Sequence, residues 1–404
     1  MMPETEMWAR KFPPSLLDRP TKDRLQYFKD QKARHALQNQ AHDAVVNAIR
    51  EPGGRTVILV MGPTGVGKST LGEVVRNQIN RELVDVLRAH PGRAAAFMVE
   101  AVAPERGNFR WGDFYRRVLM ALDEPLIEYK ATPEARILDA TRRATARTPR
   151  IEDLRLALEG VLRHRQPPGF LIDEAQSLMK TGSAKTLQDH LECVKSLANM
   201  AGTVIFLLGT YKLLDFTLND QLSRRCRYIH FPRYRIDRAG DAEQFISVLK
   251  TFELSMPLRE QPDLASQWNY YYDRSAGCIG ILKDWLTLAL KVALDAGADA
   301  LTQDHVEKTA MTVDDLIRIA KVATEGEKEL ARRQETPESL ANLRVYLGYS
   351  EVLQKEQAKE GSGDSSSQTS PATPPKQIPV RRRERLFRRK PNRDPLPVLI
   401  KEAS

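Results

Sequence analysis

From Thr56 to Met61 the chain is apolar or β-branched at every position, a pattern that predicts a strand buried on both faces. Comparable runs lie at Ala95 to Val102, Phe170 to Asp173, Thr203 to Leu208 and Tyr228 to Phe231. Helical spacing fills the intervals. Leu37, Ala41, Ala44, Val45, Ala48 and Ile49 share one face of a helix between Phe28 and Arg50, which Glu51-Pro52-Gly53-Gly54 then breaks. Thr70 to Val86 reads as another helix, and Leu187, Leu191, Val194 and Leu197 mark a third. Strands alternating with helices predict an α/β fold, a mostly parallel sheet with helices on both faces.

After Pro232 the strand signals stop. Residues 241 to 330 read as helices only, among them Ile281 to Leu294 and His305 to Val322, and predict a small helical lid. The expected organisation is an N-terminal arm (1–27), a nucleotide-binding α/β domain (28–235), the lid (236–335), a further helical segment (336–360) and a disordered linker with a basic tail (361–404). The arm carries Trp8, Phe12, Pro13, Pro14 and Pro20 and reads as extended, with aromatic side chains free to pack on something. Residues 361–377 are too rich in Ser, Gly and Pro to bury a core.

Composition adds three constraints. The 404 residues are 41% apolar, enough for one large domain and a smaller one. Of the net charge of +9, residues 376–404 supply seven, with ten Lys or Arg against three Asp or Glu, so the polyanion signal sits in the tail. Nonspecific nucleic-acid binding and partner docking both explain that tail. Cys193, Cys226 and Cys278 show no pairing pattern, which fits a reducing cytoplasm. No apolar run approaches the roughly 18 residues needed to span a bilayer, and Met1 to Lys11 has no signal-peptide core, so a soluble protein without a membrane partner is expected.

The candidate chemistry begins at Gly62-Pro63-Thr64-Gly65-Val66-Gly67-Lys68-Ser69, followed by Thr70 in the next helix. This matches the phosphate-binding P-loop, in which glycines let backbone N–H groups wrap phosphates at a helix N-terminus. Lys68 is expected to reach the β and γ phosphates of ATP, and the Ser69 hydroxyl to bind Mg²⁺. The strand ending in Asp173-Glu174 supplies one carboxylate for the Mg²⁺ shell and a second to polarise the attacking water: Asp173 for the metal, Glu174 as the base. Thr210, just past another strand, is a candidate to position that water, or else caps the next turn. Arg224 or Arg225 is placed to reach the γ-phosphate of a neighbouring subunit, the alternative being a solvated surface pair. Lys283, early in a lid helix, either contacts nucleotide from the lid side or is simply exposed.

Between the second strand and Asp173 arginines accumulate, with Arg106, Arg110, Arg116 and Arg117 interleaved with Phe109, Trp111 and Tyr115. That mixture suits phosphate contact and base stacking. A solvated helical face explains it equally well.

Taken in order, Gly62 to Ser69, Phe170 to Gln176, Gly209-Thr210, Arg224-Arg225 and the Gly277 to Lys283 segment resemble the AAA+ regulators of DNA transposition called TnsC and TniB, which include ATPases of CRISPR-associated transposons. The Asp173-Glu174-Ala175-Gln176 form of the acidic motif and Leu207-Leu208-Gly209-Thr210-Tyr211 carry most of the likeness, which covers roughly residues 28 to 330. The resemblance implies an AAA+ core and lid, and ATP-dependent assembly into rings or helical filaments on duplex DNA. It also implies a link between a target selector and the transposase, disassembly driven by hydrolysis, and a place at the bacterial nucleoid. By position, Lys68, Ser69, Asp173, Glu174, Thr210 and one of Arg224 and Arg225 take the nucleotide roles. Arg106, Arg110, Arg116 and Arg117 are the nearest DNA candidates.

Two other readings stay open. A replication initiator or helicase loader would share the core but commonly appends a winged-helix module, for which residues 331 to 404 read as too short. A signalling or defence NTPase would bind proteins and not DNA, against which the arginines and the basic tail argue. With no acidic triad outside the nucleotide motifs and no metal-ligand spacing among the seven histidines, strand cutting is assigned to a partner.

Overall fold

The computed structural model describes residues 10–105, 107–130, 149–180, 184–217, 226–333 and 337–349. Arg106, Arg224, Arg225, Trp8 and the linker and tail from residue 361 lie outside the described residues.

Each of the five apolar runs overlaps a strand. The strands are β1 Val57–Met61, β2 Phe97–Glu100, β3 Phe170–Asp173, β4 Ile205–Gly209 and β5 Cys226–His230, with β4 ending one residue later and β5 beginning two residues earlier than expected. They form one sheet in the order β2-β3-β4-β1-β5, and every neighbouring pair is parallel. Parallel strands need crossover connections, which lay helices over the two faces. The period of two is visible in the packing. Ile58 and Val60 point with Leu171, Phe206 and Leu208 into one core, while Val57, Leu59 and Met61 point with Phe170, Ile172 and Leu207 into the other.

The first core is closed by helix Ala36–Arg50, by the P-loop helix Lys68–Glu82 and by the C-terminal helices Asp241–Ser255 and Ile279–Asp295. The second is closed by helices Trp111–Ala121, Ile151–Arg165 and Ala184–Ala201. The helices after Pro232 therefore share the core of the sheet instead of standing apart from it. Residues Met1–Gln334 count as one compact unit. A second unit, Glu335–Ser404, is described only in part; its helix Pro337–Tyr346 has Leu343, Val345 and Tyr346 exposed.

Four local expectations are corrected. The arm is not extended over its described residues: a 3₁₀ turn at Pro14–Asp18 leads into helix Thr21–Asp30. Lys11 N donates to Leu254 O at 2.8 Å, and Phe12 is buried against Tyr27. The helix expected from Phe28 to Arg50 is interrupted at residues 31–35 and restarts with His35 as its cap, because Phe28 belongs to the preceding helix and is fully buried. The His305 to Val322 stretch is two helices, Gln303–Glu307 and Val313–Arg332, the second started by the Thr312 side chain accepting from Asp315 N. Finally, Phe109 and Tyr115 are buried in a cluster with Trp111, Phe114 and His190, so they serve the core and not a stacking platform. Among the described residues no helix is long and apolar enough to cross a membrane.

Candidate functional site

Because all five strands are parallel, their C-terminal ends lie along one edge of the sheet, and register fixes what meets there. Met61 is opposite Gly209, and Glu100 opposite Asp173. The P-loop, the acidic pair and Thr210 thus leave the sheet side by side.

The loop itself is built by three glycines. Gly65 and Gly67 have φ of +76° and +104°, a left-handed backbone that side chains resist. Gly62 answers to space, since a Cβ there would sit 2.1 Å from the Phe231 carbonyl oxygen at the end of β5. Gly67 caps helix Lys68–Glu82, whose N-terminus faces the loop. Val66 anchors the loop in the core, Pro63 is buried, and Thr64 and Ser69 are exposed with Thr70 behind them. Lys68 is only 7% exposed; its Nζ donates to Gly62 O at 3.1 Å and Pro63 O at 2.8 Å. Burial lowers its pKa, and the nearby Glu174 and Asp173 carboxylates oppose that shift.

Asp173 ends β3 and is buried, accepting from Glu174 N at 2.9 Å. Glu174 has φ +50°, which turns it out of the strand toward solvent. Thr210 N donates to Gln176 Oε1 at 3.2 Å, and Gln176 Nε2 donates to Glu174 Oε2. The Thr210 hydroxyl oxygen is buried without a hydrogen-bond partner. The P-loop cradle, the exposed Ser69 hydroxyl and the Asp173 carboxylate suit a phosphate-bound Mg²⁺, which keeps several waters and uses few protein oxygens. Among the described residues no cluster of three or more His, Cys, Asp or Glu offers a self-sufficient metal cage.

The lid segment docks directly on this loop. Ile281 N donates to Gly65 O at 3.2 Å, and Tyr234 N to Gly277 O at 3.0 Å. Beside it lies a cavity of about 200 Å³ lined by His35, Gln38, Gly67, Thr70, Gly280 and Lys283. Lys283 lines this cavity, but its ammonium is already engaged: Nζ donates to Phe28 O and lies 3.5 Å from the centre of the Phe28 ring. Burial draws its pKa down to about 7, against the pull of Asp284 and Asp30. It is neither solvated nor free to bind phosphate without leaving Phe28.

The DNA candidates divide. Arg110 is exposed at the start of helix Trp111–Ala121, Arg116 pairs with Glu128 at 3.3 Å, and Arg117 pairs with Asp113 at 3.0 Å. Arg106, Arg224 and Arg225 lie outside the described residues. Sequence reasoning gave no role to Gln176 or to Glu327, a buried carboxylate held by Arg233 and Arg235. Gln176 had one available signal, its place two residues after the acidic pair; Glu327 had none, because its partners lie some ninety residues away.

Residues 50–216 match the family described as an AAA domain. Among solved structures the chain is similar to the ORC2 protein of Aeropyrum pernix, at 15% identity over 72% of this chain and 71% of that one, with a TM-score of 0.48. It is similar to a Walker-type ATPase of Pyrococcus abyssi at 15% identity over 76% and 79%, TM-score 0.44, and to Cdc6p of Pyrobaculum aerophilum at 12% over 70% and 69%, TM-score 0.44. No curated protein matches the sequence. A five-stranded parallel sheet in the order β2-β3-β4-β1-β5, with its P-loop and acidic pair on one edge and an AAA-domain match across that segment, has the fold of an AAA+ P-loop core.

Proposed function

We propose that the chain is an ATPase that uses nucleotide state as an assembly switch on duplex DNA, in the manner of the transposition regulators its motifs resemble. The observation that carries the ATPase reading is the meeting of Lys68, Asp173, Glu174 and the unpartnered Thr210 hydroxyl along one sheet edge. In that reading the P-loop N–H groups and Lys68 hold the phosphates, and Ser69 and Asp173 hold Mg²⁺, which would neutralise charge on the phosphate oxygens. Glu174 accepts a proton from the water that Thr210 orients. Lys68 exchanges its two loop carbonyls for phosphate oxygens, and the lid, bonded to Gly65, senses the change.

The DNA and transposition parts rest on the sequence resemblance, with Arg110 as an exposed contact that has no ion-pair partner among the described residues and Arg116 and Arg117 as residues that trade a carboxylate for a phosphate. The Arg106, Arg224 and Arg225 assignments, a trans arginine above all, stand on sequence alone. Partners in this reading are further copies of the chain, a target selector and a transposase, in a bacterial cytoplasm.

Electron microscopy of the full chain with duplex DNA tests it, comparing a slowly hydrolysed ATP analogue, ADP and no nucleotide. Rings or filaments on DNA that need the analogue and vanish in Lys68→Ala are expected. A chain indifferent to DNA in every nucleotide state contradicts the DNA reading and leaves an ATPase with a protein partner.

A further inference from the structure

Gln176 is two residues beyond Glu174, on the 3₁₀ turn Ala175–Met179 that follows β3. Its carboxamide bridges two strands' ends: one end meets Thr210 N after β4, the other meets the Glu174 carboxylate after β3. Chemistry fixes which end is which. A backbone N–H can only donate, so the Gln176 oxygen must face Thr210, and the NH₂ is left for the carboxylate, which can only accept. An amide is the side chain that satisfies both neighbours at once. Glu would set a second negative charge beside Glu174, and Leu would satisfy neither.

The end of β4 is shaped for this bridge. A Cβ on Gly209 would sit 2.5 Å from Gln176 Oε1 and 2.9 Å from Leu213 Cδ1, so glycine makes the room in which the carboxamide lies. Glu174 itself is exposed and on a left-handed backbone, and among its described contacts Gln176 is the side chain that restrains its carboxylate. With Oε2 held, Oε1 is the oxygen left to accept a proton.

We infer that Gln176 is a positioning residue for hydrolysis: it aims the Glu174 carboxylate by tying it to the backbone of Thr210, in a slot that Gly209 keeps open. The inference rests on the reading of Glu174 as the base. It also makes Glu174 and Thr210, which follow two different strands, move as one group. A shift of the β4 end, where Tyr211 packs under Gly326 of helix Val313–Arg332, is passed through Gln176 to the carboxylate.

Steady-state ATP hydrolysis by the full chain tests it, with ATP binding measured alongside. Gln176→Ala is expected to lower kcat about tenfold to a hundredfold with KM for ATP changed less than about threefold, as loss of aim and not of affinity. Gly209→Ala pushes on Gln176 Oε1 and on the buried Leu213 side chain, so its folding is checked by circular dichroism and urea unfolding, and in the folded variant the same kcat loss is expected. The double variant is expected to be no slower than Gln176→Ala, since both remove one bridge. An unchanged kcat in Gln176→Ala while Glu174→Gln is inactive overturns the inference and spares the base. Unchanged kcat in Glu174→Gln removes the base, and the inference with it.

Discussion

The backbone N–H of Ile281 donates to the carbonyl oxygen of Gly65 at 3.2 Å, joining the first turn of a C-terminal helix to the middle of the P-loop. The approach is close on both sides. A Cβ on Gly65 would lie 2.4 Å from Ile281 Cγ1, and one on Gly280 would lie 2.4 Å from the Gly65 oxygen. Nucleotide binding at the loop therefore cannot leave the lid helix untouched.

Gly280→Ala forces that backbone contact apart. The expected cost is about 1–3 kcal/mol of stability, with weakened nucleotide binding. Gly160→Ala is the control: it lies in helix Ile151–Arg165 with nothing within 4 Å of its missing Cβ, so helix propensity should raise stability by about 0.5–1 kcal/mol. Urea unfolding of both variants, with a fluorescent nucleotide titration, checks the contrast.

Glu327 is 4% exposed and accepts from Arg233 at 3.0 Å and from Arg235 at 3.0 Å, pinning helix Val313–Arg332 to the segment after β5. Glu327→Ala leaves the Arg233 guanidinium without its carboxylate while Arg235 keeps Asp237, and a loss of about 3 kcal/mol is expected. The exposed pair Lys308–Asp304 is geometrically as good at 2.6 Å, yet Asp304→Asn should leave the urea midpoint essentially unchanged. Urea midpoints of the two variants discriminate burial from mere proximity.

His35 and His230 are both held neutral: burial brings each pKa down to about 4, His35 with its Nδ1 3.0 Å from Tyr234 Oη and His230 with its Nε2 2.8 Å from Tyr211 Oη. The unfolded chain takes up these protons near pH 6.5 and the folded chain only near 4, so stability falls as pH drops through that window and levels below it. The full effect is on the order of 2–3 kcal/mol for each ring. Unfolding free energies between pH 7.5 and 4.5 should show this slope, and His35→Gln should flatten part of it.

The centre of the sheet is legible in the sequence because β1, β3 and β4 are buried on both faces, so the runs at Thr56, Phe170 and Thr203 show no alternation to confuse with a surface strand. The P-loop was legible because its chemistry needs glycine and lysine at fixed spacing. What stayed hidden depends on contacts between distant segments. Nothing near Phe28 indicates that its carbonyl will hold Lys283, 255 residues later. The aromatic residues around Arg110 read as a stacking surface until Phe109 and Tyr115 were seen inside the second core. The helix break at residues 31–35 was masked by apolar spacing that continues across it, since Phe28 and Leu37 enter the same core from different helices.

If the ends of β1, β3 and β4 form a nucleoside-triphosphatase site, phosphate release from ATP by the full chain and by Glu174→Gln reports on it without any partner. Turnover by the unaltered chain is expected, and in Glu174→Gln a loss of about a hundredfold or more with ATP still bound. Turnover in Glu174→Gln equal to that of the unaltered chain, or none in either while both bind ATP, would contradict it.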